Sequence, residues 1–266
     1  MMETKNEREK GDALLFNRIA FQYARKDTVR SSSIPRKSLL LEAAGPIIEQ
    51  RGTLGRVLDI GCGTGAPARY LKGFYREYTG VDQSENMIDT ARLINRDIPD
   101  TRFLTGNIKT VHLSPHSFDF VLSVGALHHM TDLDTVMKAV CRLVKNDGYI
   151  LVIEPQNGNP LIQMMRRIRM RLDSGYSRDQ LFFSRRELLS VLENNGIDIV
   201  SCRYMGYFST ALAEVVLKPQ FLFVPLSRFL TRLDSWLARR LPGWLRRMGF
   251  KLVVTGKRAP SPATLQ

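Results

Sequence analysis

The sequence predicts an α/β fold with a doubly wound, mostly parallel, seven-stranded sheet and a helical insertion between strands 6 and 7. Two observations carry this prediction. Short apolar runs alternate with segments of helical periodicity, and polar or glycine residues follow the ends of successive runs, where such sheets bind their ligands. A length of 266 residues suits one decorated domain with a full core.

The first strand is predicted at residues 57–60, where apolar side chains suit a strand covered on both faces. A glycine-rich turn, Gly61, Gly63 and Gly65, follows it and opens a helix. Glycine lets the chain turn sharply and lets a ligand approach the backbone. The helix offers unpaired N–H groups at its start. This segment therefore predicts a ligand site.

The second strand, Tyr78–Val81, ends at Asp82. A carboxylate at this spacing from a glycine turn can accept hydrogen bonds from both hydroxyls of an adenosine ribose. The pattern therefore indicates a cofactor that contains adenosine.

Two kinds of adenosine cofactor compete for the turn. Gly61, Gly63 and Ala66 satisfy the looser dinucleotide fingerprint. Asp59, however, stands two residues before the first glycine, where it would repel a pyrophosphate and attract a cationic amino-acid group. S-adenosylmethionine carries an ammonium and a sulfonium and no phosphate. Here the segment Val57–Gly65 resembles the first motif of the class I methyltransferases; a structural glycine turn, or a nicotinamide or flavin site, is the alternative.

The resemblance implies a Rossmann-like methyltransferase fold with S-adenosyl-L-methionine as cofactor. Asp59 would face its amino-acid end, Asn107 the adenine amino group, and Ile108 the adenine ring. Residues at the same edge complete the expected cofactor site: Gly61, Cys62, Gly63, Asp82, Gln83, Met87 and Val124. The sequence offers no metal-ligand pattern.

The next elements continue the alternation. Thr101–Leu104 and Phe118–Val124 are predicted as the third and fourth strands. Asp132 is expected to cap a helix that runs to about Val144 with apolar residues at helical spacing. Gly148 is expected to end that unit before the fifth strand, Tyr149–Glu154.

Two histidines, His128 and His129, lie just past the fourth strand. An oxygen or carbon acceptor must lose a proton when it is methylated, and histidine is the usual base at neutral pH. Both are therefore candidate catalytic residues, and only one is expected to point into the cleft. His112 and His116 are placed in a surface loop.

After the fifth strand the prediction is a turn, a short basic helix over residues 161–172, and a helix over Arg185–Asn195. Ser184 and Glu187 form the expected capping box of the second helix. The sixth and seventh strands are predicted at Ile197–Tyr204 and Phe250–Lys257.

The insertion, residues 205–249, is rich in leucine, aromatic residues and arginine. Apolar residues recur at helical spacing at Leu226, Phe229, Leu230, Leu233, Trp236 and Leu237. Three interpretations stay open: a packed helical cap with a solvated basic face, a lid over an apolar acceptor, or an amphipathic segment on an anionic membrane.

The N-terminal segment Phe16–Tyr23 resembles the entry segment F-x-x-I-A-x-x-Y of methyltransferases that act on menaquinone and ubiquinone precursors. The resemblance implies that Tyr23 approaches the amino-acid end of the cofactor. An apolar helix face is the alternative. The expected organisation is one domain over residues 1–258, with a helical cap (1–50), a cofactor core (56–154) and a disordered tail (259–266).

Charge is unevenly distributed along the chain. Residues 1–155 hold 21 basic and 19 acidic side chains, whereas residues 156–258 hold 18 and 7, which gives the net charge of +13. The second half is thus expected to meet an anionic partner. An anionic membrane is favoured over RNA, because the turn after the fourth strand lacks the N/D-P-P-Y/F motif of amino-group methyltransferases.

The sequence also predicts a class of function and a location in the cell. The expected function is methyl transfer to a small or lipid-like apolar acceptor by a monomer or weak dimer, with a non-catalytic cofactor-binding module as the alternative. Three scattered cysteines predict reduced thiols, and the charged N-terminus shows no signal peptide. The expected location is the cytoplasm, with contact at the inner face of the membrane.

Overall fold

One seven-stranded sheet forms the centre of the computed structural model, which describes residues 2–160, 163–164 and 182–259. The strand order is β3-β2-β1-β4-β5-β7-β6. The strands are β1 (Arg56–Ile60), β2 (Glu77–Asp82), β3 (Thr101–Thr105), β4 (Phe118–Val124), β5 (Val144–Pro155), β6 (Ile197–Met205) and β7 (Lys251–Arg258).

The first five strands run parallel, and β7 pairs antiparallel with both β5 and β6. The chain order reverses between β1 and β4, so the carboxyl ends of these two strands flank the crevice where such sheets bind ligands. The predicted α/β, doubly wound, mostly parallel sheet is confirmed.

Helices cover both faces of this sheet. They are α1 (Met2–Thr28), α2 (Arg30–Arg51), α3 (Ala66–Tyr70), α4 (Glu85–Ile94), α5 (Leu133–Leu143), α6 (Arg185–Asn194), α7 (Ser209–Ala213), α8 (Gln220–Arg240) and α9 (Gly243–Arg246). One apolar core lies between the sheet and α5 and α6, and a second lies between the sheet and α2, α3 and α4.

Caps define the starts of α5 and α6 as the sequence predicted. The Asp132 side chain accepts a hydrogen bond from the Thr135 N–H, and Ser184 and Glu187 form a complete capping box. The predicted basic helix over 161–172 and the predicted tail lie, apart from residues 163–164 and 259, outside the described residues.

Strand β5 differs from its prediction. It begins at Val144, and Gly148 lies inside it instead of ending the preceding helix. Val144 is buried and pairs with Phe118, and a register shift between Phe118 and Phe120 accommodates the longer strand. A Cβ on Gly148 would lie 2.5 Å from the Val144 side chain. This glycine is therefore needed for close packing within the strand.

The insertion between β6 and β7 contains α7, α8 and α9. Helix α8 packs against α2 with its polar side: Ser227, Thr231 and Asp234 are its buried residues. Asp234 accepts hydrogen bonds from the N–H groups of Tyr207, Phe208 and Ser209 and thereby caps α7. The fully buried positions of this helix are therefore polar.

The apolar side of α8 is turned outward. Phe221 is 82% exposed, Phe229 61% and Trp236 53%, and Trp244 of α9 is 71% exposed. Six exposed apolar residues make up this outer face: Phe221, Leu222, Leu226, Phe229, Trp236 and Trp244. The helix packs on the domain with its arginines exposed, as the cap interpretation expects, but only part of its apolar stripe is covered: Leu230, Leu233 and Leu237 are half-buried, whereas Leu226, Phe229 and Trp236 are exposed. Among the described residues, no helix is long and apolar enough to cross a bilayer.

Candidate cofactor and acceptor site

The turn after β1 combines close packing with open space. Gly61, Gly63 and Gly65 all have positive φ. A Cβ on Gly61 would lie 2.4 Å from the Cβ of Ala126, whereas a Cβ on Gly63 would meet no atom within 4 Å. Gly61 is therefore fixed by packing, and Gly63 exposes its backbone to the cavity beside it.

Asp59 occupies the end of β1 and is almost completely buried. The Tyr78 hydroxyl donates a hydrogen bond to its Oδ2, and Oδ1 has no partner among the described residues. Burial raises the pKa of Asp59 to about 7; the Tyr78 hydrogen bond lowers it in part, and the nearby Asp82 raises it further. An unpaired, buried carboxylate oxygen suits a cationic group such as the ammonium of S-adenosylmethionine.

Asp82 joins the end of β2 to the glycine turn. Its Oδ2 accepts a hydrogen bond of 2.9 Å from the Gly63 N–H, and its Oδ1 accepts one of 2.9 Å from the Ser84 N–H. Burial raises its pKa, and these backbone bonds oppose the rise. Each carboxylate oxygen keeps a second lone pair, so the side chain can still accept from ribose hydroxyls.

The adjacent strands supply the rest of this edge. Asn107 follows β3 and accepts a hydrogen bond from the Lys109 N–H, which orients its amide. Ile108 is buried beside it, and Val124 at the end of β4 is 37% exposed. The structure places Asn107, Ile108 and Val124 with Cys62, Gln83 and Met87 along one cavity.

Helix α1 covers this cavity and is held by polar side chains. Glu9 accepts hydrogen bonds from Lys109 and Thr131, and Asn17 bonds to Ser84 and Asn86 at the start of α4. Asp27 accepts a hydrogen bond of 2.6 Å from Thr64 in the glycine turn. Four segments thus hold α1 over the carboxyl ends of the strands: the loops with Lys109 and Thr131, the start of α4, and the glycine turn.

Tyr23 lies on the cavity side of α1, between Lys26 and the Arg36 guanidinium of α2. Arg36 Nη1 is 3.3 Å from Asp27 Oδ1, and Arg36 Nη2 is 3.6 Å from Glu214 Oε2. Arg36 Nε also bonds to the Ala213 carbonyl, so this cluster connects α1, α2 and α7. Sequence reasoning found Tyr23 but missed Arg36 and the acids. Only Asp27 carried a signal, since Asp12, Phe16, Tyr23 and Asp27 recur at helical spacing.

The two histidines share a 3-10 turn, Leu127–His129, and both line the cavity. Their ring centroids are 4.1 Å apart. The expectation that only one would point into the cleft is wrong, because the tight turn directs both rings inward. His129 Nδ1 is 3.1 Å from Asp12 Oδ2 of α1.

His128 is held by Glu154, a residue that sequence reasoning placed in β5 but not in the site. His128 Nδ1 is 2.6 Å from Glu154 Oε2. Glu154 is fully buried and also accepts hydrogen bonds from the N–H groups of Ala126 and Leu127. Burial lowers the pKa of His128, and the Glu154 carboxylate opposes this change. The sequence carried a signal for this pair, because a charged residue ended an otherwise apolar strand.

All these groups surround one cavity with a volume of about 1280 Å³. Every residue that the sequence assigned to the cofactor or to catalysis lies in its wall. Beyond the cofactor edge the wall becomes apolar and is formed by Phe16, Ile19, Leu39, Leu40, Phe182 and Phe250. The space thus has a polar part that fits the cofactor and an apolar part that fits an acceptor.

Comparison with known proteins places residues 58–152 in a family described as a methyltransferase domain. The methyltransferase YcgJ of Bacillus subtilis (strain 168) is 31% identical over 101 residues, which cover 37% of this chain and 40% of YcgJ. A ubiquinone biosynthesis O-methyltransferase of Neisseria meningitidis serogroup C (strain 053442) is 26% identical over 216 residues, or 78% of this chain and 90% of that enzyme. The chain thus spans less than half of YcgJ but most of the Neisseria enzyme.

Solved structures share the fold. A methyltransferase of Thermotoga maritima, described as a possible histamine N-methyltransferase, has a TM-score of 0.62 at 20% identity and covers 92% of this chain and 98% of its own. The geranyl diphosphate C-methyltransferase of Streptomyces coelicolor, solved with S-adenosyl-L-homocysteine, has a TM-score of 0.52 at 17% identity. The match covers 81% of this chain and 78% of that enzyme. The family match over residues 58–152, the sheet order and the unpaired carboxylate at the glycine turn agree: the chain contains a methyltransferase domain with the Rossmann-like methyltransferase fold, and S-adenosylmethionine is its cofactor.

Proposed function

We propose that the protein methylates a lipid-like apolar acceptor at an anionic membrane surface. The observation that carries this proposal is the outer face of α8 and α9, which exposes aromatic rings although its helix has a polar side that packs on the domain. An exposed apolar face of this kind is typical of an interaction surface.

The bound cofactor supplies an electrophilic methyl group, so the protein has to align the acceptor and exclude water. Asp59, Gly63, Asp82 and Asn107 would hold the cofactor at the sheet edge. Helix α1 closes this edge and separates it from solvent. The apolar wall beyond it suits an acceptor with hydrocarbon or aromatic groups.

His128 is the better candidate for the base. Its Nδ1 is bonded to Glu154, so the proton of an acceptor would pass to Nε2. Burial lowers its pKa, which keeps the ring neutral and able to accept a proton at neutral pH. His129 instead contacts Asp12 and is edge-on to Phe16 at 5.0 Å, which suits a role in closing α1 over the site.

Charge favours an anionic membrane as the partner of the outer face. Arg228, Arg232, Arg239 and Arg240 of α8 are exposed, and the only acid of this helix, Asp234, is buried. Each arginine near an anionic bilayer contributes about 1 kcal/mol, and burial of the aromatic rings adds to this. Tryptophan beside arginine is typical of helices that lie in the membrane interface.

Flotation with vesicles and labelled methyl transfer test the proposal together. The protein should float with vesicles that contain phosphatidylglycerol, float less with phosphatidylcholine alone, and be released by high salt. With labelled cofactor, the label should enter the organic phase of a total lipid extract. The quadruple variant Arg228→Gln, Arg232→Gln, Arg239→Gln, Arg240→Gln should lose flotation.

A matched control removes the same charge elsewhere. Lys72, Arg96, Lys138 and Arg186 are exposed on other elements, and their replacement by glutamine should leave flotation intact. Equal losses in the two variants would show a nonspecific charge effect and contradict a docking face. Binding to RNA but not to vesicles would favour the RNA-binding alternative.

A further inference from the structure

Lys251 places a positive charge in the wall of the acceptor cavity. It is the first residue of β7 and pairs with Pro155 at the carboxyl end of β5, so it lies at the ligand edge of the sheet. Its side chain lines the cavity together with His128 and Phe250. In the part of the chain that the structure describes, no carboxylate lies within ion-pair distance of Lys251.

The acid of the neighbouring strand β5 that lies nearest in sequence to Pro155 is Glu154, and its carboxylate already accepts three hydrogen bonds. Glu154 accepts hydrogen bonds from Ala126 N, Leu127 N and His128 Nδ1, with distances of 3.0, 2.7 and 2.6 Å. Its carboxylate therefore stabilises the 3-10 turn and the His128 ring. A lysine without an acid in a largely apolar cavity suits a ligand that brings or develops a negative charge.

We propose that Glu154, His128 and Lys251 act together to ionise the acceptor, which is therefore a compound with an acidic hydroxyl group. This inference rests on the proposed function. The acceptor O–H bond breaks, its proton passes to His128 Nε2, and its electron pair stays on the oxygen. Lys251 stabilises that oxyanion. Glu154 is a positioning residue, because its bond keeps the other ring proton on Nδ1.

The groups around His128 fit this assignment. Among the described residues they include Glu154, His129, Lys251 and the Phe182 ring, which stacks on His128 with centroids 5.4 Å apart. Burial is the main cause that lowers the pKa of His128, and the charge of Lys251 contributes in the same direction. The ring is thereby neutral when the acceptor arrives, and the lysine attracts the oxygen that gives up its proton.

A coloured phenol can test Lys251 without knowledge of the natural acceptor. The probe is 4-octyl-2-nitrophenol, whose anion absorbs visible light, titrated with saturating full-length protein and S-adenosylhomocysteine. Wild-type protein should lower the apparent pKa of the bound phenol by about one or more. Lys251→Met should lose this change, and Lys251→Arg should keep it. Lys257→Met, the same substitution on the same strand at the far end of the sheet, should keep it as well.

The positioning role of Glu154 has its own measurement. NMR spectra of protein labelled with ¹⁵N-histidine should show that the neutral His128 ring of the wild type carries its proton on Nδ1. Glu154→Gln should give a mixture of tautomers and lower the pKa of His128 further, with His129 as the internal reference. The proposal is overturned if wild-type protein leaves the probe titration unchanged, if Lys251→Met behaves as wild type, or if the tautomer survives in Glu154→Gln. None of these results depends on vesicle binding.

Discussion

Two regions of this molecule break the usual match between a side chain and its surroundings, and they do so in opposite ways. Asp59 buries a carboxylate oxygen without a partner, whereas the outer face exposes large aromatic rings to water. The first mismatch lowers the stability of the isolated protein, whereas the second leaves apolar surface in water with little effect on folding. A small cation relieves the first, and only a broad apolar phase relieves the second. The difference distinguishes the cofactor site from the surface that we propose for membrane contact.

The largest expected effect comes from removing the buried charge. Asp59→Asn should weaken cofactor binding about 10- to 100-fold, because it deletes a charge-assisted contact of roughly 1.5–3 kcal/mol. The same variant should unfold at a higher temperature than wild type at pH 8. Calorimetry and thermal denaturation measure the two effects. A variant that is both less stable and normal in binding would mean that Asp59 is a structural residue.

The sign of the stability change follows from the pKa. Burial raises the pKa of Asp59 from its ordinary value near 3.8 to about 7, so between these pH values the folded state binds more protons than the unfolded state. The free energy of unfolding therefore falls with rising pH across this window. Asp59→Asn cannot lose a proton at this position, so its free energy of unfolding above pH 7 should exceed that of the wild type by about 1–4 kcal/mol.

Removing an exposed ring of the outer face should reduce vesicle binding and leave the stability of the fold unchanged, in contrast to the change at Asp59. Phe229→Ser should reduce binding to anionic vesicles about tenfold, because interfacial burial of the ring contributes roughly 1.5 kcal/mol or more. Its free energy of unfolding should stay within about 0.5 kcal/mol of wild type. Leu93→Ser is the matched control, since Leu93 of α4 is 60% exposed and Phe229 is 61% exposed. A large loss of stability in Phe229→Ser alone would show that the ring belongs to a packed core.

The charge of Asp59 should also give the wild type a pH dependence of cofactor affinity. Cofactor affinity should be constant above pH 7 and fall below it by at most about tenfold per pH unit, because the carboxyl group of Asp59 becomes protonated. The affinity of Asp59→Asn should not show this dependence. Calorimetric titrations between pH 5.5 and 8.5, in buffers of matched ionic strength, distinguish the two curves. A wild type with a flat curve would contradict the link between Asp59 and the cationic cofactor.

Sequence periodicity predicted the fold well and the insertion poorly, and two helices show why. Helix α5 has an apolar stripe that is buried at Val136, Val140 and Leu143, as predicted. Helix α8 has an equally clear stripe, yet it packs through Ser227 and Asp234. Periodicity reveals that a helix has two different faces, but the side on which a partner lies depends on distant residues such as Ser31, which bonds to Ser227.

The candidate site shows the same limit. Residues that end consecutive parallel strands, such as Asp59 and Asp82, could be grouped from sequence because strand ends share one edge. Arg36 and Lys251 could not, since their place in the cavity depends on how α2 and the antiparallel β7 return to that edge. Long-range packing sets these positions, and no local pattern encodes them.

The most direct test of the proposed membrane surface uses the protein's own fluorescence. The chain contains two tryptophans, Trp236 and Trp244, and both belong to the outer face. In solution their emission should be that of water-exposed indole. Anionic vesicles should shift it to shorter wavelength, and brominated lipids should quench it, with high salt reversing both changes. An emission that is unchanged by anionic vesicles and unquenched by brominated lipid would contradict the account.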